Sequence, residues 1–281
     1  MAMTMNRQPN REDLRGLMDF ARRLALRAGE IQKTQLGHVR DVEYKETDEM
    51  VTRVDRLCES VIVGGISERF PHHNIVAEEN EYPQTDHAYR WYVDPLDGTT
   101  NYVHGYRHFS VSIALEFEAE MVLGLVYDPM HDEIFSGTQN GGAFLNGRRI
   151  SVSETGRLDR SLLATGFPYD ARRGQPNNME NFNCFSLASQ AVRVDGSAAL
   201  DLCYVAVGRF DGFWEMKLRP WDMAGGGLIV REAGGRVSNF QNGRFRIDSG
   251  EVLATNGLIH DQMVSILREA EIRGGTRNQR E

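Results

Sequence analysis

The 281 residues carry 41% apolar and 26% charged side chains and a formal net charge of −8. That composition suits a globular chain of one large domain or two close subdomains, and argues against disorder, collagen and coiled coil. No stretch reaches the roughly 18 uncharged apolar residues of a membrane helix, no apolar secretory core opens the chain, and the acidic balance disfavours a broad nucleic-acid footprint.

Asn10, with Asp13 three residues on, predicts a helix start. Leu14, Leu17, Met18, Ala21, Leu24, Ala25, Ala28 and Ile31 then recur at helical spacing. A second helix is expected from Thr52, with Val54, Leu57, Cys58, Val61, Ile62 and Ile66 on one face, ending at Pro71. Short buried strands are expected at 74–77 and 90–93, and a meander at 110–117, 121–127, 132–137 and 142–145. Asn146-Gly147 is a hairpin turn signal. Beyond it, strands at 162–165, 210–215, 236–239 and 251–255 alternate with helices at 179–190, 197–208, from Trp221, and at 258–270. The polar ends, 1–9 and 273–281, are expected to fray. The order predicts a layered α/β (α+β) fold. A polar run from Ser151 to Arg160 places a subdomain boundary there, giving 1–151 and 152–281.

Cys58, Cys184 and Cys203 form no Cys-x-x-Cys pair, so neither a zinc knuckle nor a redox motif is expected. A cytoplasmic, reducing setting fits them. Acidity also suits carboxylates gathered around cations, which would let a net-acidic chain accept an anionic substrate.

The segment Trp91 to Asn101 carries the most chemistry. Aromatic and β-branched residues lead a strand to Asp94, and Pro95 keeps Asp94 extended. Asp97-Gly98 turns the chain and Thr99 can open a helix. Paired carboxylates, with the Leu96 carbonyl between them, suit a hard divalent cation. A fresh helix N-terminus suits a phosphate. Alone, the segment also reads as a plain Asp-Gly turn. Glu78-Glu79 after a strand also reads as a solvated loop, Asp222 as a first-turn capping acid, and Asp55 as a solvent-facing helix acid. His104 and His108 read as loop or packing residues.

Taken in order, Glu78-Glu79, Asp94-Pro95-Leu96-Asp97-Gly98-Thr99-Thr100-Asn101, and Trp221-Asp222 with Glu232-Ala233-Gly234-Gly235 resemble the signature motifs of the inositol monophosphatases. These belong to the lithium-sensitive, magnesium-dependent phosphatases. The resemblance runs from about Asp13 to about Leu267. Gly166-Phe167-Pro168, the run from Gly196 to Leu202, and Leu218-Arg219-Pro220 look like the bacterial branch.

The resemblance implies a five-layer α-β-α-β-α sandwich, commonly a homodimer. It implies hydrolysis of inositol 1-phosphate or related polyol and sugar phosphates with two or three Mg²⁺ ions. Glu78, Asp94, the Leu96 carbonyl, Asp97 and Asp222 match its metal ligands. Thr99 and Asp55 match the pair that orients and deprotonates water, and Glu78 is grouped with them as catalytic. Gly98 and Thr99 match phosphate-holding amides, while Gly196, Ala198, Glu215 and Asp222 match substrate contacts. Lys45 matches a lysine near the catalytic loop. Most ligands thus fall in 1–151, with Asp222 and the substrate residues in 152–281. Fructose 1,6-bisphosphate, histidinol phosphate, a nucleotide 3′-phosphate and NADP are alternative substrates within the superfamily. Some bacterial members partner the transcription machinery in ribosomal RNA antitermination. The chain departs from the family pattern at Ala77, Asn80, Glu49, Lys217, Gly225 and Gly227, none of which removes a matched ligand.

Overall fold

Asn10 caps the first helix from both directions. Its side chain accepts from the N–H groups of Glu12 and Asp13, each at 2.9 Å, and Asp13 accepts from the Asn10 N–H. This capping box opens α1 (Arg11–Gln35), whose buried stripe contains the predicted Leu14, Leu17, Ala21, Leu24, Ala25 and Ala28. The computed structural model describes residues 8–38, 42–44, 49–174 and 176–277, with side chains as far as Arg273. Lys45 lies outside the described residues, as do 1–7 and 278–281 of the ends expected to fray.

A small antiparallel hairpin, β1 (Val42–Tyr44) with β2 (Met50–Thr52), leads into α2 (Arg53–Arg69). Next come β3 (Asn74–Ala77), β4 (Tyr89–Asp97), α3 (Thr99–Val103), β5 (Ser110–Phe117), β6 (Glu120–Asp128), β7 (Glu133–Thr138), β8 (Gly142–Leu145) and β9 (Arg148–Arg149). These strands form a seven-stranded sheet in chain order, with β3 parallel to β4 and every later pair antiparallel. The second half holds β10 (Leu162–Thr165), α4 (Met179–Ala188), β11 (Ala191–Arg193), α5 (Ala198–Ala206), β12 (Gly212–Met216), α6 (Pro220–Glu232), β13 (Arg236–Ser238), β14 (Glu251–Thr255) and α7 (His260–Arg277). Its five strands run in the order β11-β10-β12-β14-β13.

Three apolar clusters stack these elements. One joins α1 and α2 to the outer face of the first sheet through Leu24, Ile62, Trp91 and Leu115. A second places α5 and α6 between the sheets, joining Val126 and Phe135 to Leu202, Ile229, Phe213 and Ala254. A third covers the far face of the second sheet with α4 and α7, through Phe185, Trp214, Met263 and Leu267. The result is the α-β-α-β-α layering.

The glycines of α6 have a packing reason. A Cβ on Gly124 of β6 would fall 2.5 Å from the Gly225 carbonyl oxygen, so helix and strand touch backbone to backbone. A Cβ on Gly226 would meet Leu202 of α5 at 2.6 Å, and one on Gly227 would meet the Phe245 ring at 3.0 Å. Each glycine costs the helix about 1 kcal/mol relative to Ala; the close approach to both neighbours offsets that cost.

Several boundaries differ from the sequence expectation. β4 runs on through Pro95 to Asp97, and its pairing with β5 shifts register between Asp94 and Asp97. Proline has no N–H for the ladder, so the strand bulges there. Gln32 of α1, fully buried, donates to the freed Pro95 carbonyl at 2.8 Å. The helix expected over 179–190 stops at Ala188, and 191–193 form an unanticipated edge strand. The hairpin β1–β2 was likewise not expected. The last helix continues to Arg277, into the polar stretch expected to fray.

Candidate active site

Strand register brings the first two acids together. Ala77 of β3 pairs with Val93 of the parallel β4, so the next residues, Glu78 and Asp94, emerge side by side. Glu78 is near enough to raise the Asp94 pKa. Asp94 is 2% exposed. Across the sheet Asp94 pairs with Ser112, whose hydroxyl donates to the Trp221 carbonyl at 3.2 Å. That contact sets the first turn of α6 over Asp94, carrying Asp222. The Asp222 carboxylate also accepts from the Arg219 N–H at 2.7 Å. Its capping role and its place in the cleft therefore coexist.

Asp97 closes the group. Its Oδ2 accepts from the Ser197 hydroxyl and from the Ala199 N–H at 3.0 Å, so α5 holds it from across the molecule. Gly98 follows with φ 93°, and a Cβ there would lie 3.1 Å from the carbonyl oxygens of both Gly196 and His108. Only glycine adopts this left-handed turn without penalty.

The electrostatics are those of crowded acids. Burial raises the pKa of Asp94 well above the carboxylate range, and Glu78, Asp97 and Asp222 add to it. Burial lifts Asp222 to about 7, reinforced by Asp97 and Glu49 against the Arg219 N–H. Burial also raises Asp97, opposed chiefly by its bond from Ser197. A cleft of about 480 Å³ runs over these residues, and its lining includes Glu78, Asp94, Leu96, Asp97, Gly98, Thr99, Gly196, Ala198, Glu215 and Asp222.

Asp55 is fully buried rather than solvent-facing. It caps α2, its Oδ2 accepting from the Thr52 N–H at 2.9 Å and the Thr52 hydroxyl at 2.5 Å. Its Oδ1 lies 2.9 Å from Thr99 Oγ1, which is also 3.0 Å from the Leu96 carbonyl oxygen. A hydroxyl has one proton, so Thr99 can donate to either oxygen but not to both.

Sequence reasoning missed Glu59, one helical turn beyond Asp55 and fully buried. It accepts from the Glu79 N–H at 2.8 Å, Asn80 Nδ2 at 2.7 Å and the Tyr82 hydroxyl at 2.8 Å, and so fixes the loop carrying Glu78. The i, i+4 spacing from Asp55 was the available signal. Asn80, a departure from the family pattern, is thus part of that anchor. Ser197 was missed as well. At the other wall, a Cβ on Gly166 would fall 2.2 Å from Glu215 Oε1, so the glycine makes room for that carboxyl. Lys217 stands at φ 60° and pairs with Asp170 at 2.8 Å, both lining the cleft. His104 is exposed in its loop, while His108 is buried.

The sequence profile described as the inositol monophosphatase family matches residues 13–271. The chain belongs to the inositol monophosphatase family. It is 42% identical over 257 residues to an inositol-1-monophosphatase of Synechocystis, covering 91% of this chain and 90% of that one. It is 40% identical over 256 residues to the Nus factor SuhB of Escherichia coli, covering 90% and 96%. The inositol monophosphatase structure from Anabaena (Nostoc) superposes with a TM-score of 0.84 at 41% identity, covering 92% of this chain and 97% of that one. As an inositol monophosphatase family member the chain is a phosphatase of a metal-dependent family, and its layered fold is the one those structures share. No helix among the described residues is long and apolar enough to cross a membrane.

Proposed function

We propose that the chain is a Mg²⁺-dependent phosphomonoesterase acting on inositol 1-phosphate and related polyol or sugar phosphates. The observation that carries this is the convergence of Glu78, Asp94, Asp97 and Asp222 on one cleft, close enough that the other three all raise the Asp94 pKa. Carboxyls that close repel unless protonated or bridged by cations. An all-oxygen donor set, including the Leu96 carbonyl, fits a hard divalent ion. Glu78, Asp94, Leu96, Asp97 and Asp222 would hold two or three Mg²⁺. When bound, these ions supply neutralising charge, acidify water and stabilise the leaving oxygen.

The remaining work belongs to the chain's own groups. Thr99 Oγ1 donates to Asp55 Oδ1, which frees its lone pair to accept from the attacking water and orient it. Asp55 receives the proton through that hydroxyl. Thr52 holds Asp55 from the opposite side, so the acceptor oxygen stays aimed at Thr99. The amides of Gly98 and Thr99 face the transferred phosphoryl group. Gly196, Ala198, Glu215 and Asp222 contact the substrate hydroxyls, with the Lys217–Asp170 pair at the same wall biasing which polyols fit. Phosphoryl transfer asks little covalent chemistry of a protein, so positioning and charge account for the catalysis.

The proposal extends to a cytoplasmic homodimer, lithium sensitivity, and a functional division into 1–151 and 152–281. A panel of inositol 1-phosphate, fructose 1,6-bisphosphate, histidinol phosphate, a nucleotide 3′-phosphate and NADP, assayed with Mg²⁺, tests the substrate. Greatest turnover on any of the last four would displace inositol phosphate from the reading. Millimolar-range Li⁺ is expected to inhibit uncompetitively and to be relieved by added Mg²⁺; unaffected turnover would remove the loose second-metal site. The likeness to a Nus factor favours a second role beside the catalytic one, as a partner of the transcription machinery. Binding of the purified chain to RNA polymerase tests that role, and absence of binding removes it.

A further inference from the structure

A second convergence of ligand groups stands beside the catalytic acids. The ligand atoms of His108, Asp195 and Asp201 all lie within 4.8 Å of one another. Three separate pieces of chain supply them. His108 sits between α3 and β5, Asp195 between β11 and α5, and Asp201 in the first turn of α5. Asn101 ties the first two together, its Nδ2 donating to the His108 carbonyl at 2.8 Å and the Asp195 carbonyl at 2.7 Å. Tyr204 packs edge-on against the His108 ring with centroids 5.8 Å apart.

His108 Nε2 and Asp201 Oδ1 are buried without a hydrogen-bond partner. Their residues are only 7% and 1% exposed. Buried polar atoms are nearly always paired, and buried charges are paired or bind metal. The charged groups acting on Asp201 are Asp195, Glu215 and Asp97, all carboxylates. What the cluster needs is therefore positive charge with room for one nitrogen and two oxygen donors.

We propose that His108 Nε2 and one oxygen each of Asp195 and Asp201 bind a single divalent cation of borderline hardness, of the Zn²⁺ or Mn²⁺ kind. Imidazole nitrogen selects against Mg²⁺ and Ca²⁺, while carboxylate oxygens suit both zinc and manganese. Asp195 is half-buried and gives the ion its way in. The ion would clamp the α3–β5 turn to the start of α5. Ser197 and Ala199, which hold Asp97, lie between two of its ligands. The site is thus a positioning device for Asp97 and Gly196, at the edge of the same cleft, which Asp195 also lines, and made of other side chains than the magnesium-binding acids.

Zn²⁺ alone is the probe. Crystals of the EDTA-treated protein soaked in Zn²⁺ should show anomalous density at roughly 2.0–2.2 Å from His108 Nε2 and from both carboxylates. Equilibrium dialysis should find one fewer Zn²⁺ per chain in Asp195→Asn and in Asp201→Asn, whereas Asp94→Asn should keep density at this position. Zn²⁺ should raise the melting temperature of Asp94→Asn more than that of the Asp94→Asn/Asp195→Asn double variant. If Asp201→Asn does not fold, the wild-type crystal and Asp195→Asn still decide. Density confined to Glu78, Asp94, Asp97 and Asp222, with only a water between the three side chains of the proposed site, overturns the proposal. So does unchanged Zn²⁺ stoichiometry in Asp195→Asn.

Discussion

Two sets of acids lie side by side in this molecule, and like charge crowds only one of them. On α2, every oxygen of Asp55 and Glu59 has a donor from the protein: Thr52 and Thr99 for the first, Glu79, Asn80 and Tyr82 for the second. At the ends of β3 and β4, Glu78 and Asp94 face each other, with Asp222 and Asp97 adding charge of the same sign. Asp94 and Asp97 are buried and Glu78 and Asp222 half-buried. The fold gives Asp94, Asp97 and Asp222 donors too, but these acids also press like charge on one another. A carboxylate whose hydrogen bonds are met by the fold holds structure or passes a proton. Carboxyls turned on one another form a place for a cation.

The largest effect that sharpens this contrast is expected from Asp94→Asn. Turnover should fall by about 1,000-fold or more, equivalent to about 4 kcal/mol in the barrier. Steady-state phosphate release with saturating Mg²⁺ measures it, and a kcat near wild type would break the contrast. Thr99→Ala should come next. A positioned proton acceptor contributes roughly 100- to 10,000-fold. The variant should therefore lose kcat while Mg²⁺ affinity, read by calorimetry, stays within a few-fold of wild type.

Glu59→Gln is expected to act through the fold. A carboxamide cannot accept from three donors with the same geometry, and an unmet buried donor costs about 1–3 kcal/mol. Urea unfolding should show that loss, and Mg²⁺ affinity should weaken as the Glu78 loop loosens. Unchanged stability would mean that the anchor does not hold the loop.

The smallest effect concerns pH in the metal-stripped protein. Asp222 rises from 3.8 to about 7 on folding, so the folded state binds the proton more tightly than the unfolded chain. That contribution is fully present below about pH 4 and is lost as pH rises through about 7. The melting temperature should therefore decline across this window relative to Asp222→Asn, and added Mg²⁺ should restore it at neutral pH. A melting temperature that rises through the window relative to that variant contradicts the crowding of the acids.

The sequence made the cleft acids and Asp55 readable and hid what holds them. Asp94, Asp97 and Asp222 stood in ordered motifs, and each lines the cleft. The partners that place these acids were not readable, because topology supplies them. Ser197 reaches Asp97 across 100 positions, and Ser112 reaches Trp221 across 109. Glu59 shares a helix face with Asp55, but its partners sit in a loop about twenty residues on. Among the elements, β1 and β11 escaped notice because each has three partly or fully exposed residues and so no alternation to detect. The glycines of α6 looked unfavourable by propensity and made sense only once Gly124 was found beneath them.

The central claim is that the acids beside β3, β4 and α6 form a cation site. The direct measurement is phosphate release from inositol 1-phosphate by EDTA-treated protein as Mg²⁺ is titrated in. No turnover is expected without Mg²⁺, a saturable rise with it, and no rise in Asp94→Asn. Full turnover of the stripped wild-type protein in EDTA would contradict it.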